Sequence, residues 1–137
     1  FLFGVLPPGD ERLMRAMQLT KERLTVNTPV GGIARYEGDQ YFRAVQDVPG
    51  NPWFITTLWF TQYAIALAKD DHDLDSVRAD LNWVERNALR SGVLSEQLNP
   101  HTREQVSAAP LTWSHAEYIR TVVMYMRKLK ELGITTD

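Results

Sequence analysis

No cysteine occurs in this chain of 137 residues. Disulfides, thiolate zinc sites and a cysteine nucleophile are thereby excluded. There is also no run of about 18 apolar residues, so the sequence offers no membrane-spanning helix. No basic stripe runs along any segment: 15 Lys and Arg stand against 17 Asp and Glu, for a net charge of -2. A nucleic-acid binder needs clustered cations to neutralise phosphates, and that class is disfavoured. The apolar start Phe1-Leu2-Phe3-Gly4-Val5-Leu6 lacks the basic residues and the length of a signal peptide. Without cysteine and without such a signal, the expected location is cytoplasmic. A start at Phe1 rather than at methionine reads as the interior of a longer protein.

What the chain does have is apolar residues, 44% of the total, enough for the core of one domain. Their spacing predicts four long helices. Pro7-Pro8-Gly9 breaks the chain, and Asp10 is placed to cap a helix running to about Val26. Asn51-Pro52 offers a cap and a first-turn proline for a second, to about Lys69. A third starts in Asp71-His72-Asp73 and ends at Ser91-Gly92. The fourth runs from Ser114 to about Leu132, with Gly133 as its stop.

The first and third of these helices keep one apolar face. Leu74, Val77, Leu81, Val84 and Ala88 recur at steps of three and four. The second and fourth are apolar nearly all round, through Phe54, Leu58, Trp59, Ile119, Val123 and Met126 among others. Helices of that kind have to be buried on all sides. The expected fold is therefore all-α, with helices alternating outer and inner. Trp59 and Trp83, inside helices, read as packing residues.

Two long loops, from about Asn27 to Gly50 and from about Gly92 to Trp113, precede the inner helices. Loops of that length without structure of their own are often functional. Both should deliver their contents to one end of the molecule. The first carries Arg35, Tyr36, Asp39 and Tyr41; the second carries Glu96 and Gln97. Trp53 and Trp113 stand at the helix starts, where they fit hydrophobic staples or ligand contacts equally. A carboxyl group, an amide, an Arg/Asp pair and flat aromatic faces are the inventory of a carbohydrate site. It is half of a hydrolytic one, because glycoside cleavage normally takes two carboxyl groups.

Other motifs fail. Asp71-His72-Asp73-Leu74-Asp75 lacks the glycine and the final glutamate of a calcium loop, since Ser76 and Asn82 stand there. His72, His101 and His115 have no metal-ligand spacing, and Gly31-Gly32 lacks the further glycines and the lysine of a phosphate loop. No metal or cofactor is expected.

Four strings then occur in a distinctive order: Gly32-Ile33-Ala34-Arg35-Tyr36 with Asp39 and Tyr41, Gly50-Asn51-Pro52-Trp53-Phe54, Ser95-Glu96-Gln97, and Leu111-Thr112-Trp113-Ser114-His115-Ala116. With them the chain, from Gly4 to about Leu132, resembles the C-terminal part of glycoside hydrolase family 15, which includes glucoamylases, glucodextranases and some trehalases. The resemblance implies an (α/α)6 barrel, or toroid, of which residues 1–137 would be a C-terminal fragment with no internal domain boundary. It implies that Glu96 is the general base, activating water for inversion at the anomeric carbon. It also implies that Gln97 binds a sugar hydroxyl, that Arg35, Tyr36, Asp39 and Tyr41 line the substrate subsites, and that Trp53 and Trp113 shape the pocket.

The family's general acid is a glutamate in a tryptophan-containing motif upstream, and neither Glu37 nor Glu104 stands in such a motif. The chain by itself is expected to be inactive. Its expected partners are an α-glucoside or oligosaccharide and the N-terminal part of the same barrel. Four helices alone cannot bury two that are apolar all round, so self-association or an exposed apolar face is expected as well. The alternative is a non-catalytic module of the same fold, as in the regulatory subunits of phosphorylase kinase.

Overall fold

Asp10 starts the first helix as its sequence position predicts. The computed structural model describes residues 1–134. Asp10 accepts the Arg12 backbone N–H at 3.0 Å and opens α1, Glu11–Leu24. Helix α2 spans Phe54–Leu67. A single 3-10 turn at His72–Leu74 leads into α3, Asp75–Asn87, and α4 spans Thr112–Glu131. Gly133, at φ +70, stands just beyond α4, in the left-handed conformation that suits a helix stop.

The molecule is helix-rich but not purely helical. Four strands of two residues each form one antiparallel sheet: β1 Ile33–Ala34, β2 Pro52–Trp53, β3 Gln97–Leu98 and β4 Gln105–Val106, in that order. The sheet gathers both long loops at the start of α2. Strand β2 sits at its centre, with Trp53 opposite Ile33 on one side and Gln97 on the other.

Two expected helix ends move. The Asn51-Pro52 cap does not form. Pro52 pairs with Ala34 in the sheet, the helix begins at Phe54, and the Asn51 side chain is used elsewhere. The third helix stops at Asn87 rather than at Ser91-Gly92. Asn87 Nδ2 donates to the Trp83 carbonyl at 2.7 Å, Ala88 turns extended, and Gly92 closes a separate turn onto Leu89. Asn side chains that hydrogen-bond nearby backbone compete with helix in this way.

Helix α2 is the hub and packs against α3, α4 and the sheet. Its buried polar residues bind it in place. Thr56 Oγ1 donates to the Ile33 carbonyl at 2.7 Å, and Thr57 Oγ1 accepts the Ile33 N–H at 2.9 Å. Val30, Phe54, Leu58, Trp83, Val84, Leu94 and Leu98 form the core beneath the site, and Ile65, Leu74, Val77 and Leu129 pack at the other end.

Helix α4 differs from the expectation of full burial. Ser114, Glu117, Thr121 and Leu129 are its buried residues, while Ala116, Ile119, Val123 and Met126 form an exposed stripe at helical spacing. Helices α2 and α3 supply cover for only one side of it. Helix α1 is also loosely seated, with Leu24 its one buried residue.

Gly32 is the tightest point under the sheet. Its φ is +89, and a Cβ there would lie 2.6 Å from Trp83 Cζ2 and 2.8 Å from Pro52 Cβ. Trp83 cannot yield easily, because its Nε1 donates to the Val30 carbonyl at 2.7 Å within the core. Gly32→Ala should therefore cost about 2 kcal/mol, combining left-handed backbone strain with overpacking. Urea unfolding of the variant measures this. A midpoint equal to the parent's would refute the constraint.

Candidate active site

Arg35 and Asp39 form the first part of the site. Arg35 Nε and Nη2 donate to the two Asp39 oxygens at 2.8 and 2.9 Å, a two-pronged pair. Asp39 is only 2% exposed and also accepts the Tyr41 N–H at 3.0 Å. Burial opposes ionisation of Asp39. The Arg35 guanidinium, the Tyr41 N–H and the Tyr36 hydroxyl outweigh it and hold the carboxyl below its usual range. The same hydrogen bonds, donated to Asp39, hold the Arg35 guanidinium above its usual range, against a desolvation cost.

Three aromatic rings surround the guanidinium. Its central carbon lies 4.3 Å from the Trp53 ring centre, 4.8 Å from Tyr36 and 5.3 Å from Tyr41. The structure thus brings Arg35, Tyr36, Asp39, Tyr41 and Trp53 together. Trp53 is only 4% exposed, with Arg35 and Tyr41 against it. Its indole backs the arginine, while Tyr36 and Tyr41 are about half exposed.

Arg43 closes the loop that carries this cluster. Its guanidinium donates to the carbonyls of Asp39, Val45, Val48 and Pro49 at 2.6–3.1 Å. A loop of this length holds many backbone acceptors that no strand satisfies, and one guanidinium serves several of them.

Asn51 joins the two loops. Its Oδ1 accepts the Ala44 N–H at 3.0 Å, while its Nδ2 donates to the Phe42 carbonyl at 2.8 Å and to Gln97 Oε1 at 2.9 Å. With Oε1 so engaged, Gln97 turns its Nε2 toward Glu96 Oε2, 3.4 Å away. Ser107 Oγ also donates to that oxygen, from a left-handed backbone at φ +66. Backbone bonds fix Glu96 on both sides: its N–H donates to the Ala108 carbonyl at 2.9 Å, and its carbonyl accepts from Phe54.

The Glu96 carboxylate is therefore held by one oxygen. Among the described residues no group hydrogen-bonds to Oε1. A carboxylate fixed at one oxygen and open at the other can accept a proton from a water or a hydroxyl.

Trp113 stands apart from the Arg35 cluster. It lies in the first turn of α4, 50% exposed, with its ring edge-on to Trp59 at 5.8 Å. Side chains of that turn bond the backbone just before Glu96: Ser114 Oγ donates to the Ser95 carbonyl at 2.7 Å, and the Leu94 N–H donates to His115 Nε2 at 3.1 Å.

A groove of about 380 Å³ lies between α1 and α2, lined by Phe1, Leu13, Met17, Trp59 and Phe60 and bordered by Arg35. It is almost wholly apolar and Glu96 is not in its wall. Of the polar site residues, only Arg35 borders this groove. No three His, Asp or Glu side chains are placed to hold a metal ion among the described residues.

Asn51, Arg43, Ser107 and Glu117 make hydrogen bonds that sequence reasoning passes over. Asn51 reads as a helix cap, and the others are single polar residues without a pattern.

Residues 78–123 match the family described as glycosyl hydrolases family 15. The chain is 32% identical over 126 residues to a protein of Methanocaldococcus jannaschii described as an uncharacterized glycosyl hydrolase, covering 85% of this chain and 19% of that protein. It is 30% identical over 124 residues to a glucoamylase of Clostridium sp., covering 85% of this chain and 17% of that enzyme. The chain spans about a fifth of the length of the curated relatives it matches.

Proposed function

We propose that Glu96 is the general base of an inverting glycosidase acting on α-glucosidic bonds; the family 15 match over residues 78–123 and the likeness over most of the chain to a glycosyl hydrolase and a glucoamylase support this reading. One observation carries this reading. Glu96 Oε2 is held by Ser107 and Gln97 where the two loops meet, and Oε1 is left for a water. In this mechanism Oε1 takes a proton from that water as its oxygen attacks the anomeric carbon. Arg35, with the rings of Tyr36, Tyr41 and Trp113, binds the sugar around it, while the buried Asp39 and Trp53 hold Arg35 and the buried Gln97 holds Glu96.

An inverting pair sets its carboxyl groups about 6.5–9.5 Å apart, with water between. The groups hydrogen-bonded to the Glu96 side chain are an amide and a hydroxyl, neither of them an acid. The proposal therefore assigns the general acid to sequence outside these 137 residues, in an (α/α)6 barrel of which this chain is one portion. The chain alone then lacks turnover.

The test is the stereochemistry of the full-length protein on maltotriose, isomaltose and trehalose. Proton NMR should show β-glucose as the first-formed sugar from at least one of them. First-formed α-glucose from maltotriose, or α-glucose alone from trehalose, whose leaving glucose keeps its α configuration in either mechanism, would replace the base with a nucleophile, and no hydrolysis of any of the three would remove the enzyme reading.

A further inference from the structure

Burying a carboxylate is costly unless donors satisfy it. Glu117, on α4, is only 8% exposed and has two such donors. The Trp113 indole N–H donates to its Oε1 at 3.2 Å, one helical turn earlier. Gln62 Nε2, on α2 and fully buried, donates to its Oε2 at 2.7 Å. The Gln62 amide also donates to Thr121 Oγ1 at 3.0 Å, and Thr121 in turn donates to the Glu117 carbonyl at 2.7 Å. The chain of bonds runs from the centre of α2 to one exposed ring.

Trp113 needs such an anchor. Half of it meets water, and an exposed side chain in a first turn ordinarily samples several rotamers. The edge contact with Trp59 restrains one side of the ring. The bond to Glu117 fixes the rotation that this contact leaves free. We infer that Glu117 is a positioning residue: it holds the Trp113 indole in one plane as a rigid face for a pyranose ring, and so sets affinity for the oligosaccharide. This rests on the proposed glycosidase reading, under which Trp113 touches the sugar. Pre-organisation of this kind improves binding by removing an ordering cost.

The experiment is a double-mutant cycle in the full-length protein, read as kcat and KM on maltotriose. Glu117→Ala should raise KM by about tenfold with kcat within about twofold. Glu117→Gln keeps an amide oxygen for the indole N–H, and Gln62, whose own oxygen has no partner among the described residues, can turn its amide to meet the new NH2. Its KM should stay within about threefold of the parent's.

Trp113→Phe keeps a ring but removes the N–H, and at an exposed position it does not threaten folding. In that background Glu117→Ala should leave KM unchanged, because the bond it would break is already gone. Equal effects of Glu117→Ala in the Trp and Phe backgrounds overturn the inference. So does an unchanged KM in Glu117→Ala. If Glu117→Ala does not fold, an unchanged KM in Trp113→Phe overturns it and a raised one supports it. Absence of turnover in the parent is a separate failure: it removes the glycosidase reading and this inference with it.

Discussion

Glu96→Gln in the full-length protein should lower kcat on maltotriose by about a thousandfold or more while KM moves by less than about threefold. Glutamine has the same shape. Its amide oxygen can still accept the Ser107 hydroxyl now bound to Glu96 Oε2, so the loop around it should hold. What disappears is the basic oxygen. The remaining groups near the attacking water are an amide and a hydroxyl, and neither takes a proton at neutral pH.

Ser107→Gly supplies the graded comparison. It removes the donor to Oε2 and leaves the carboxylate in place, so kcat should fall by on the order of tenfold, the weight of one charge-assisted hydrogen bond. Because Ser107 sits at φ +66, glycine relieves the backbone and the thermal midpoint should not drop. A Glu96→Gln enzyme that keeps a tenth of parental kcat would end the assignment of Glu96 as base. A fully active Ser107→Gly would show that Oε2 needs no holding.

The parts of the molecule legible in the sequence are those written as repeating patterns. Val77 and Val84 announce the buried face of α3, Leu74 the turn that leads into it, and Asp10 the start of α1. The all-round apolar pattern of α2 correctly marks the central helix. The same pattern in α4 describes a surface this chain does not cover, since Ile119, Val123 and Met126 remain exposed. The sheet was not legible, because two-residue strands carry no alternation to detect.

Asn51 shows why a local signature can mislead. Asn-Pro before an apolar run is a sound helix start on local grounds. Here Asn51 makes three bonds to the loops, one of them to Gln97, 46 residues away. A long-range partner outweighs the local cap, and no single-sequence pattern records it. Arg43 and Glu117 are hidden for the same reason. Each acts through hydrogen bonds that exist only after the loops or helices have met.

Arg35→Ala should destabilise the chain by about 3 kcal/mol at neutral pH. Breaking a buried pair by removing one member costs about 3–5 kcal/mol. The low end applies because 35% of the Arg35 side chain meets water, which screens the pair. Asp39 keeps the Tyr41 N–H but loses both guanidinium bonds and stays buried.

The pH dependence gives the sharper test. In the parent the Asp39 carboxyl is held below its unfolded value. Its contribution is therefore present above about pH 4 and is lost as pH falls through the lower folded value. In Arg35→Ala, burial is the main remaining influence and raises the folded value above the unfolded one. The sign reverses: the variant should gain stability relative to the parent as pH falls from 7 toward 4. Arg35→Ala with Asp39→Asn removes the buried charge as well, and should regain part of the loss with no Asp39 contribution to the pH dependence. Urea midpoints for parent, single and double variants from pH 3 to 8 decide it. Parallel curves for parent and Arg35→Ala would mean that the pair does not stabilise this loop.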